Sequence, residues 1–210
     1  MADKDHLNLI ITGHIDNGKS TTMGHFLMDL GIVDERTIAA HAKESEETGK
    51  GDSFKYAWVM DNIKDERARG ITIDLAFQKF ETPKFFFTLI DAPGHRDFVK
   101  NMITGASEAD CAVLVLSAKE GETDTAIAAG GQAREHAFLL KTLGVKQIIV
   151  AVNKMDDSKF SEDAYKAVVE KGSQLVKSVG YKIEDVPFIP VSGWTGDNLV
   201  KKSENMPWYK

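Results

Sequence analysis

An apolar run that passes directly into a glycine-rich turn restricts the fold of this chain more than any other feature. The run "LNLIIT" is followed by "GHIDNGKST", in which Gly13, Gly18, Lys19 and Ser20 satisfy the pattern G-x-x-x-x-G-K-[ST]. Glycines let backbone N–H groups curl around an anion, and the N-terminal end of a following helix attracts negative charge. The stretch therefore predicts a strand, a phosphate-binding loop and a helix.

The side chains of this loop are suited to a nucleoside triphosphate. Lys19 supplies a positive charge beside the outer phosphates, and the Ser20 hydroxyl is an oxygen ligand of the kind that Mg²⁺ prefers. The pattern alone does not identify the base. We expect nucleotide contacts from the whole loop, which comprises Gly13, His14, Ile15, Asp16, Asn17, Gly18, Lys19, Ser20 and Thr21.

Further short apolar runs alternate with segments of helical spacing. The runs are "TIDLAFQKF", "FFFTLID", "CAVLVLS", "QIIVAVN" and "PFIPVS". Such alternation predicts an α/β fold, here the three-layer sandwich of P-loop nucleotide-binding proteins, with helices on both faces of a mostly parallel sheet. Only "ETPK" separates the first two of these runs, which predicts a hairpin and one antiparallel edge strand.

Three segments have clear helix signals. "GKSTTMGHFLMDLG" follows the loop, and "TAIAAGGQAREHAFLLKTLG" predicts a single helix that stops at Gly144. A third helix is expected to begin after the N-cap Ser161 and to end at Gly180. The stretch from about 32 to 69 is a long, charged and partly helical insertion, and compact domains seldom contain such a connection without a function.

Composition excludes several protein classes. The 210 residues carry a formal net charge of -6, so the strongly basic footprint of a nucleic-acid-binding domain is absent. Cys111 is the single cysteine, which rules out a disulfide within the chain, and we interpret it as a small buried strand residue. Neither a signal peptide nor an apolar run long enough for a membrane span is present, so one soluble, cytoplasmic domain is expected.

Acidic and amide residues follow two of the buried runs. Asp91 ends the run in "FFFTLIDAPGH", where a carboxylate can hold Mg²⁺ through water, and Gly94 can offer its N–H to a γ-phosphate. In "NKMD", the Asp156 carboxylate can accept hydrogen bonds from N1–H and the 2-amino group of guanine, a donor pair that adenine lacks. Asn153 can bond the purine and brace the loop, and the Lys154 stem can lie on the ring face.

A last strand, in "FIPVSGW", completes the predicted site. Backbone N–H groups at Ser192 and Gly193 are placed to reach the guanine 6-oxygen, and Trp194 is included in the expected nucleotide-binding set. This stretch is weak as a motif and gains weight from its position after the others.

Together, "GHIDNGKST", "RGITID", "DAPGHRDFVKNMITGASEAD", "NKMD" and "VSGW" resemble the GTP-binding domain of a translational GTPase, of the archaeal or eukaryotic elongation factor 1-alpha type. The likeness runs almost end to end, through the insertion to "NMPWYK". It implies one GTP-binding domain over residues 1–210, with GTP or GDP and Mg²⁺ as ligands and with the insertion in switch I.

The resemblance also implies roles for individual residues. Thr72 in switch I coordinates Mg²⁺ together with Ser20 and Asp91, and its backbone carbonyl helps to hold the attacking water. Gly94 begins switch II, and His95 orients or polarises that water. The remaining assignments are Ile15 and Ile71 as an apolar gate beside the histidine, and Asp16 as a position associated with a monovalent cation.

Two departures from the family pattern stand out. Asn17 replaces the second histidine of G-H-[VI]-D-H-G-K-[ST], and we expect the loop to tolerate it because asparagine adopts left-handed backbone angles readily. The chain stops at Lys210, whereas the family continues into a final helix and two β-barrel domains. The sequence thus predicts a fragment or a reduced relative, and the partners that the resemblance implies (ribosome, aminoacyl-tRNA and an exchange factor) are weakened accordingly.

Several functions remain open from the sequence. The main hypothesis is a GTPase switch with slow intrinsic turnover, because no arginine finger lies inside the motifs. The alternatives are a nucleotide-binding module with little catalysis, a P-loop ATPase or kinase, and a termination or ribosome-rescue factor. "NKMD" disfavours the ATPase or kinase. No role is assigned to His6, His25, His41 and His136, and the His14 side chain need not face the ligand.

Overall fold

The computed structural model describes residues 4–47, 54–60, 75–93 and 99–210, and these contain a six-stranded sheet. The strands are β1 Asp5–Gly13, β2 Ala76–Glu81, β3 Phe85–Asp91, β4 Cys111–Ser117, β5 Gln147–Asn153 and β6 Phe188–Pro190. Their order across the sheet is β2-β3-β1-β4-β5-β6. All neighbours are parallel except β2 and β3, so the predicted antiparallel edge strand is confirmed.

Helices cover both faces of the sheet because both faces are apolar. Successive strand side chains alternate between the faces, so Ile10 and Leu114 pack on one side while Ile11 and Val113 pack on the other. Helices α1 Lys19–Asp29, α2 Glu35–Glu47 and α3 Phe54–Ala57 cover the second side. The first side is covered by α4 Val99–Ser107, α5 Glu122–Ile127, α6 Gln132–Thr142 and α7 Glu162–Val179. The predicted three-layer architecture is confirmed.

The register of the sheet brings the carboxyl ends of the central strands together. Ile11 pairs with Asp91, Gly13 with Val115, and Ser117 with Asn153. In open α/β sheets, ligands bind outside this edge, where the strands give way to loops. The residues predicted to bind the nucleotide follow from these strand ends.

One helix prediction is wrong. The segment read as a single helix up to Gly144 is two helices, because α5 ends at Ile127 and α6 begins at Gln132. Gly130 has φ +81°, and a side chain at Gly131 would overlap the Ala126 carbonyl oxygen. The glycine pair therefore breaks the helix although the apolar spacing continues across it.

The boundaries of α7 agree with the sequence. The Ser161 hydroxyl accepts a hydrogen bond from the Ala164 N–H at 3.3 Å, and Gly180 ends the helix with φ +97°. Cys111 opens β4 but is only half-buried, so the expectation of a buried thiol is met in part. Burial nevertheless raises the pKa of this thiol. Within the described ranges, the helices are all too short or too polar to cross a bilayer.

Helix α1 touches the insertion through Gly24, and this contact generates a testable prediction. Alanine in place of a helical glycine ordinarily stabilises a protein by about 1 kcal/mol. A methyl group at Gly24 would, however, overlap the Tyr56 carbonyl oxygen of α3. We expect Gly24→Ala to lower the free energy of unfolding by about 2 kcal/mol, as measured by urea denaturation.

Gly172→Ala in α7 is the matched comparison. There the added methyl would meet side-chain atoms of Phe188 and Leu116 at 2.8 and 3.0 Å, and side chains rotate away more easily than a backbone does. A smaller loss is expected for Gly172→Ala than for Gly24→Ala. The reverse order would contradict a rigid contact between α1 and α3.

Candidate nucleotide-binding site

The loop after β1 has the geometry of an anion cradle. A Cβ atom at Gly13 would lie 2.5 Å from the Val115 carbonyl oxygen, and one at Gly18 would lie 2.6 Å from Asn153 Nδ2. Gly18 has φ +80°, and the first helical hydrogen bond runs from the Thr22 N–H to its carbonyl oxygen at 2.9 Å. The N–H groups at the start of α1 precede this bond, at the end of the helix that adjoins the loop and carries its positive dipole.

Lys19 places a positive charge inside the loop. Its side chain is almost fully buried, and its Nζ donates a hydrogen bond to the His14 carbonyl oxygen at 3.0 Å. The ammonium group is therefore folded back over the loop, where an anion would meet it together with the backbone N–H groups.

The side chain of Asn17 connects the loop to strand β4. Its side chain is 1% exposed, and Nδ2 donates to the Val115 carbonyl oxygen of β4 at 2.9 Å. The left-handed residue of the loop other than glycine is Asp16, with φ +62°, and it is exposed to solvent. The reason given above for tolerating asparagine was thus wrong, since what Asn17 contributes is a side-chain hydrogen bond.

Asn153 connects the two halves of the site. Its Nδ2 donates to the Asn17 carbonyl oxygen at 2.8 Å, and its Oδ1 accepts from the Gly193 N–H at 2.8 Å. The residue is buried at the end of β5. Its carboxamide thereby holds the phosphate loop and the loop after β6 at a fixed separation. The predicted contact of Asn153 with a purine stays a prediction.

Asp156 is oriented by the loop after β6. Its Oδ1 accepts a hydrogen bond from the Ser192 hydroxyl at 2.5 Å, while the Ser192 N–H donates to the Asp197 carbonyl oxygen at 3.1 Å. The partly exposed carboxylate is therefore held in one direction. The Ser192 and Gly193 amides both have protein acceptors in this structure, so their predicted contact with the guanine 6-oxygen stays untested.

Lys154 lies between Asn153 and Asp156 and has an unusual backbone conformation. Its φ is +61°, a conformation that costs a non-glycine residue free energy and that clusters at functional sites. Its Nζ forms an ion pair with Glu122 Oε2 at 2.7 Å. The sequence analysis predicted a role for Lys154 and none for Glu122.

The predicted Mg²⁺ ligands within the described residues have suitable chemistry. Asp91 is fully buried at the end of β3, beside Ile11 in the register, and Ser20 lies in the first turn of α1. The described ranges hold no group of three or more His, Cys, Asp or Glu residues arranged to bind a metal. A hydroxyl and one carboxylate fit Mg²⁺, which takes few protein ligands and completes its shell with phosphate oxygens and water.

Four of the predicted residues fall outside the described ranges. They are Ile71, Thr72, Gly94 and His95. Their assigned roles in Mg²⁺ coordination, water activation and gating stay predictions.

His136 was assigned no role, yet it lies directly behind the loop. It is fully buried in α6, and its Nδ1 is 2.7 Å from the Thr12 hydroxyl oxygen at the end of β1. Burial lowers its pKa to about 3, with Lys19 and His14 adding to the effect. Burial and Lys19 also lower the pKa of His14. Both imidazoles are therefore neutral at physiological pH, and Lys19 supplies the positive charge of the loop.

His25 supports the loop after β6. Its Nδ1 donates to the Gly193 carbonyl oxygen at 2.9 Å, and its ring stacks on Tyr56 with centroids 4.1 Å apart. Trp194 is 38% exposed and meets Tyr56 edge-on at 6.2 Å, and Lys55 Nζ lies 5.2 Å from the centre of the indole. The insertion and the loop after β6 thus share one aromatic cluster. The roles of His136 and His25 depend on hydrogen bonds to residues more than a hundred positions away in the sequence. Local sequence patterns therefore could not predict them.

Comparison with known proteins agrees with this geometry. The family model described as the elongation factor Tu GTP binding domain matches residues 4–206. The chain belongs to this family. Elongation factor 1-alpha of Cenarchaeum symbiosum is 89% identical over 210 residues, which cover all of this chain and 48% of that protein. The Ignicoccus hospitalis protein of the same name is 59% identical, over 99% of this chain and 47% of its own length.

Solved members of the GTP-binding fold superpose on the whole chain. The Saccharomyces cerevisiae Ski7 GTPase-like domain, bound to GTP, has a TM-score of 0.83 at 25% identity and covers 99% of this chain and 47% of its own. Sup35 complexed with GDP has a TM-score of 0.72 at 34% identity, over 100% of this chain and 43% of its own. The chain spans about half the length of the relatives it matches.

The depressed pKa of His136 predicts a pH dependence of stability. The unfolded chain takes up a proton on this histidine near pH 6.5, whereas the folded chain does not until about pH 3. The free energy of unfolding therefore falls as the pH drops from about 6.5 towards 3, by up to about 1.4 kcal/mol per pH unit from this residue. His136→Asn should lose this part of the slope in urea denaturation between pH 7 and pH 4.5.

The control is His6→Asn, which removes an exposed histidine from β1. His136→Asn should change the slope more than this control does. Equal slopes for His136→Asn and the unmodified chain would show that the buried imidazole is not held neutral.

Proposed function

We propose that this chain is the GTP-binding domain of an elongation factor 1-alpha type translational GTPase and that it binds and hydrolyses GTP. The observation that carries the proposal is the network around Asn153, which joins an anion-binding loop to an oriented carboxylate, Asp156. A phosphate-binding pole and a base-reading pole at a fixed separation are what a guanine nucleotide requires.

The triphosphate binds to the loop. Backbone N–H groups from Gly13 to Thr21 surround the β- and γ-phosphates, and the Lys19 ammonium offsets their charge. Ser20, Thr72 and Asp91 would hold Mg²⁺, which would supply positive charge to the same phosphates.

The base binds at the other pole. Asp156 accepts hydrogen bonds from N1–H and the 2-amino group, the Lys154 stem covers one ring face, and Asn153 holds the loops in place. The loop after β6, with Ser192, Gly193 and Trp194, is proposed to border the base on the side of the 6-oxygen. Adenine presents no matching donor pair to Asp156, so the site favours guanine.

Hydrolysis proceeds by positioning and charge stabilisation. His95 orients a water for attack on the γ-phosphorus, the Thr72 carbonyl holds that water, and the Gly94 N–H and Lys19 stabilise charge on the γ-phosphate oxygens. Loss of the γ-phosphate releases the segments around Thr72 and Gly94, which is the switch. The rate of GTP hydrolysis without a stimulating partner is slow. Asp16 is exposed to solvent, where a monovalent cation can reach its carboxylate.

The role of the full-length protein follows from its relatives. Elongation factors 1-alpha match this chain over its whole length but are about twice as long. We propose that the complete factor delivers aminoacyl-tRNA to the ribosome in the cytoplasm and is recharged by an exchange factor. The 89% identity to an elongation factor favours this role over the termination or ribosome-rescue function that the sequence left open.

Replacing Asp156 tests the base-reading assignment. Asp156→Asn replaces one of the two acceptor oxygens by an NH2 donor and removes the charge, which opposes the 2-amino group of guanine but suits xanthine, which has a carbonyl in its place. We expect affinity for GTP to fall about 100-fold or more, the size of two hydrogen bonds to a charged group, while affinity for XTP rises. Isothermal titration with both nucleotides measures the change.

Asp157→Asn serves as the control, because its side chain is exposed next to the proposed site. It should keep the preference for GTP. Unchanged preference in Asp156→Asn would remove the basis for guanine recognition by this residue.

Replacing His95 separates a GTPase from a passive binding module. For His95→Ala we expect unchanged GTP affinity and a single-turnover rate about 100-fold lower or more, because an oriented general acid or base contributes that much. His6→Ala, in an exposed part of β1, provides the control. Equal rates in all three proteins would refute the role of His95 in hydrolysis, whereas no turnover in the unmodified chain would favour the binding module.

A further inference from the structure

We propose that Glu122 is a positioning residue for guanine binding, acting through Lys154. The inference rests on the proposed function, because it concerns how the base is held. Lys154 Nζ and Glu122 Oε2 are 2.7 Å apart, and the two side chains are only 21% and 27% exposed. A partly buried ion pair at this distance restricts a lysine that would otherwise sample many rotamers.

Hydrogen bonds hold the backbone that carries the Glu122 carboxylate in place. Glu122 is the first residue of α5, directly after Gly121, whose φ is +80°. The hydroxyl of the next residue, Thr123, donates to the Ser117 carbonyl oxygen at 2.6 Å and accepts from the Ser117 N–H at 3.2 Å. The first turn of α5 is thus tied to the end of β4, and Glu122 has little freedom to move.

Lys154, the other member of the ion pair, directly follows the neighbouring strand β5. Ser117 of β4 pairs with Asn153 of β5, and Lys154 is the next residue. Its backbone is held on either side by hydrogen bonds from the Ala118 N–H to the Asn153 carbonyl oxygen at 2.7 Å and from the Met155 N–H to the Val191 carbonyl oxygen at 3.2 Å. The ion pair therefore joins the ends of two adjacent strands at the base-reading pole.

Glu122 is charged and serves more than one lysine. Burial alone would raise its pKa, but hydrogen bonds from Lys154 and Ser117 outweigh this and bring the pKa below its usual range. Lys119 Nζ also lies 3.3 Å from Glu122 Oε1. The carboxylate thus remains available to hold the Lys154 ammonium at neutral pH.

This arrangement pre-organises the Lys154 stem. With the ammonium held by Glu122, the four methylene groups have fewer conformations open to them before a base arrives, so less conformational freedom is lost on binding. The effect concerns the base, because the residues that Glu122 contacts, Lys154, Lys119 and Ser117, are not among the proposed phosphate ligands. Glu122 should therefore matter for guanine nucleotides and not for inorganic triphosphate.

The test is Glu122→Gln in the full 210-residue chain. We expect radiolabelled GDP to dissociate about tenfold faster and GTP affinity to fall by a similar factor, the size of one hydrogen bond to a charged group. The affinity for inorganic triphosphate, measured by calorimetry with Mg²⁺ present, should not change. Circular dichroism confirms that the variant is folded.

Asp124→Asn is the matched control. Asp124 lies in the same helix and pairs with Lys171 at 2.6 Å, away from the strand ends, so its loss should leave GDP dissociation unchanged. Lys154→Met provides the second arm. In that background Glu122→Gln should cause no further loss, because coupled residues are not additive.

Three results would overturn the inference: wild-type GDP dissociation in Glu122→Gln, an equal loss of inorganic triphosphate binding, or a full additional loss in the Lys154→Met background. The proposed function fails in a different way, namely when the unmodified chain binds neither GDP nor GTP. The two failures are therefore distinguishable in one set of measurements.

Discussion

The carboxamide of Asn153 makes the pair of hydrogen bonds on which the geometry of the site depends. It donates to the phosphate loop at Asn17 and accepts from Gly193 in the loop after β6. Loss of one such buried partner would leave a polar group unsatisfied, at a cost of about 1–3 kcal/mol. Since Gly18 packs against the same carboxamide, the spacing of the two poles is set by one side chain at the end of one strand.

The charge distribution around the loop follows from burial. Burial and the nearby charge of Lys19 lower the pKa values of His14 and His136, so both imidazoles are neutral. His136 contacts the Thr12 hydroxyl behind the loop, while Lys19 and the helix terminus attract the anion. Of the acidic residues nearby, Asp16 is exposed to solvent, Asp91 lies on β3 beside β1, and Glu122 is paired with Lys154. The net charge of -6 is therefore compatible with a locally positive cradle.

Local sequence patterns predicted the strands, the edge hairpin and the order of the motifs, because side-chain alternation and the glycine loop depend on residues that are close together in the sequence. They could not reveal that Asn17 bonds to Val115, that His25 bonds to Gly193, or that Glu122 holds Lys154. Each of these contacts joins residues far apart in the chain. The break before α6 was missed for another reason, since apolar spacing continues through Gly130 and Gly131 while the backbone cannot.

The half-exposed indole of Trp194 gives this domain an optical reporter of its own. It lies edge-on to Tyr56 with the Lys55 ammonium near its ring, and it directly follows Ser192 and Gly193, which are proposed to lie beside the base. Indole emission depends on nearby charge and on access of water, so any shift between the insertion and the loop after β6 changes its colour and intensity. Trp58 is buried and would contribute a steadier background. Motion at this junction can thus be followed by fluorescence without attaching a dye.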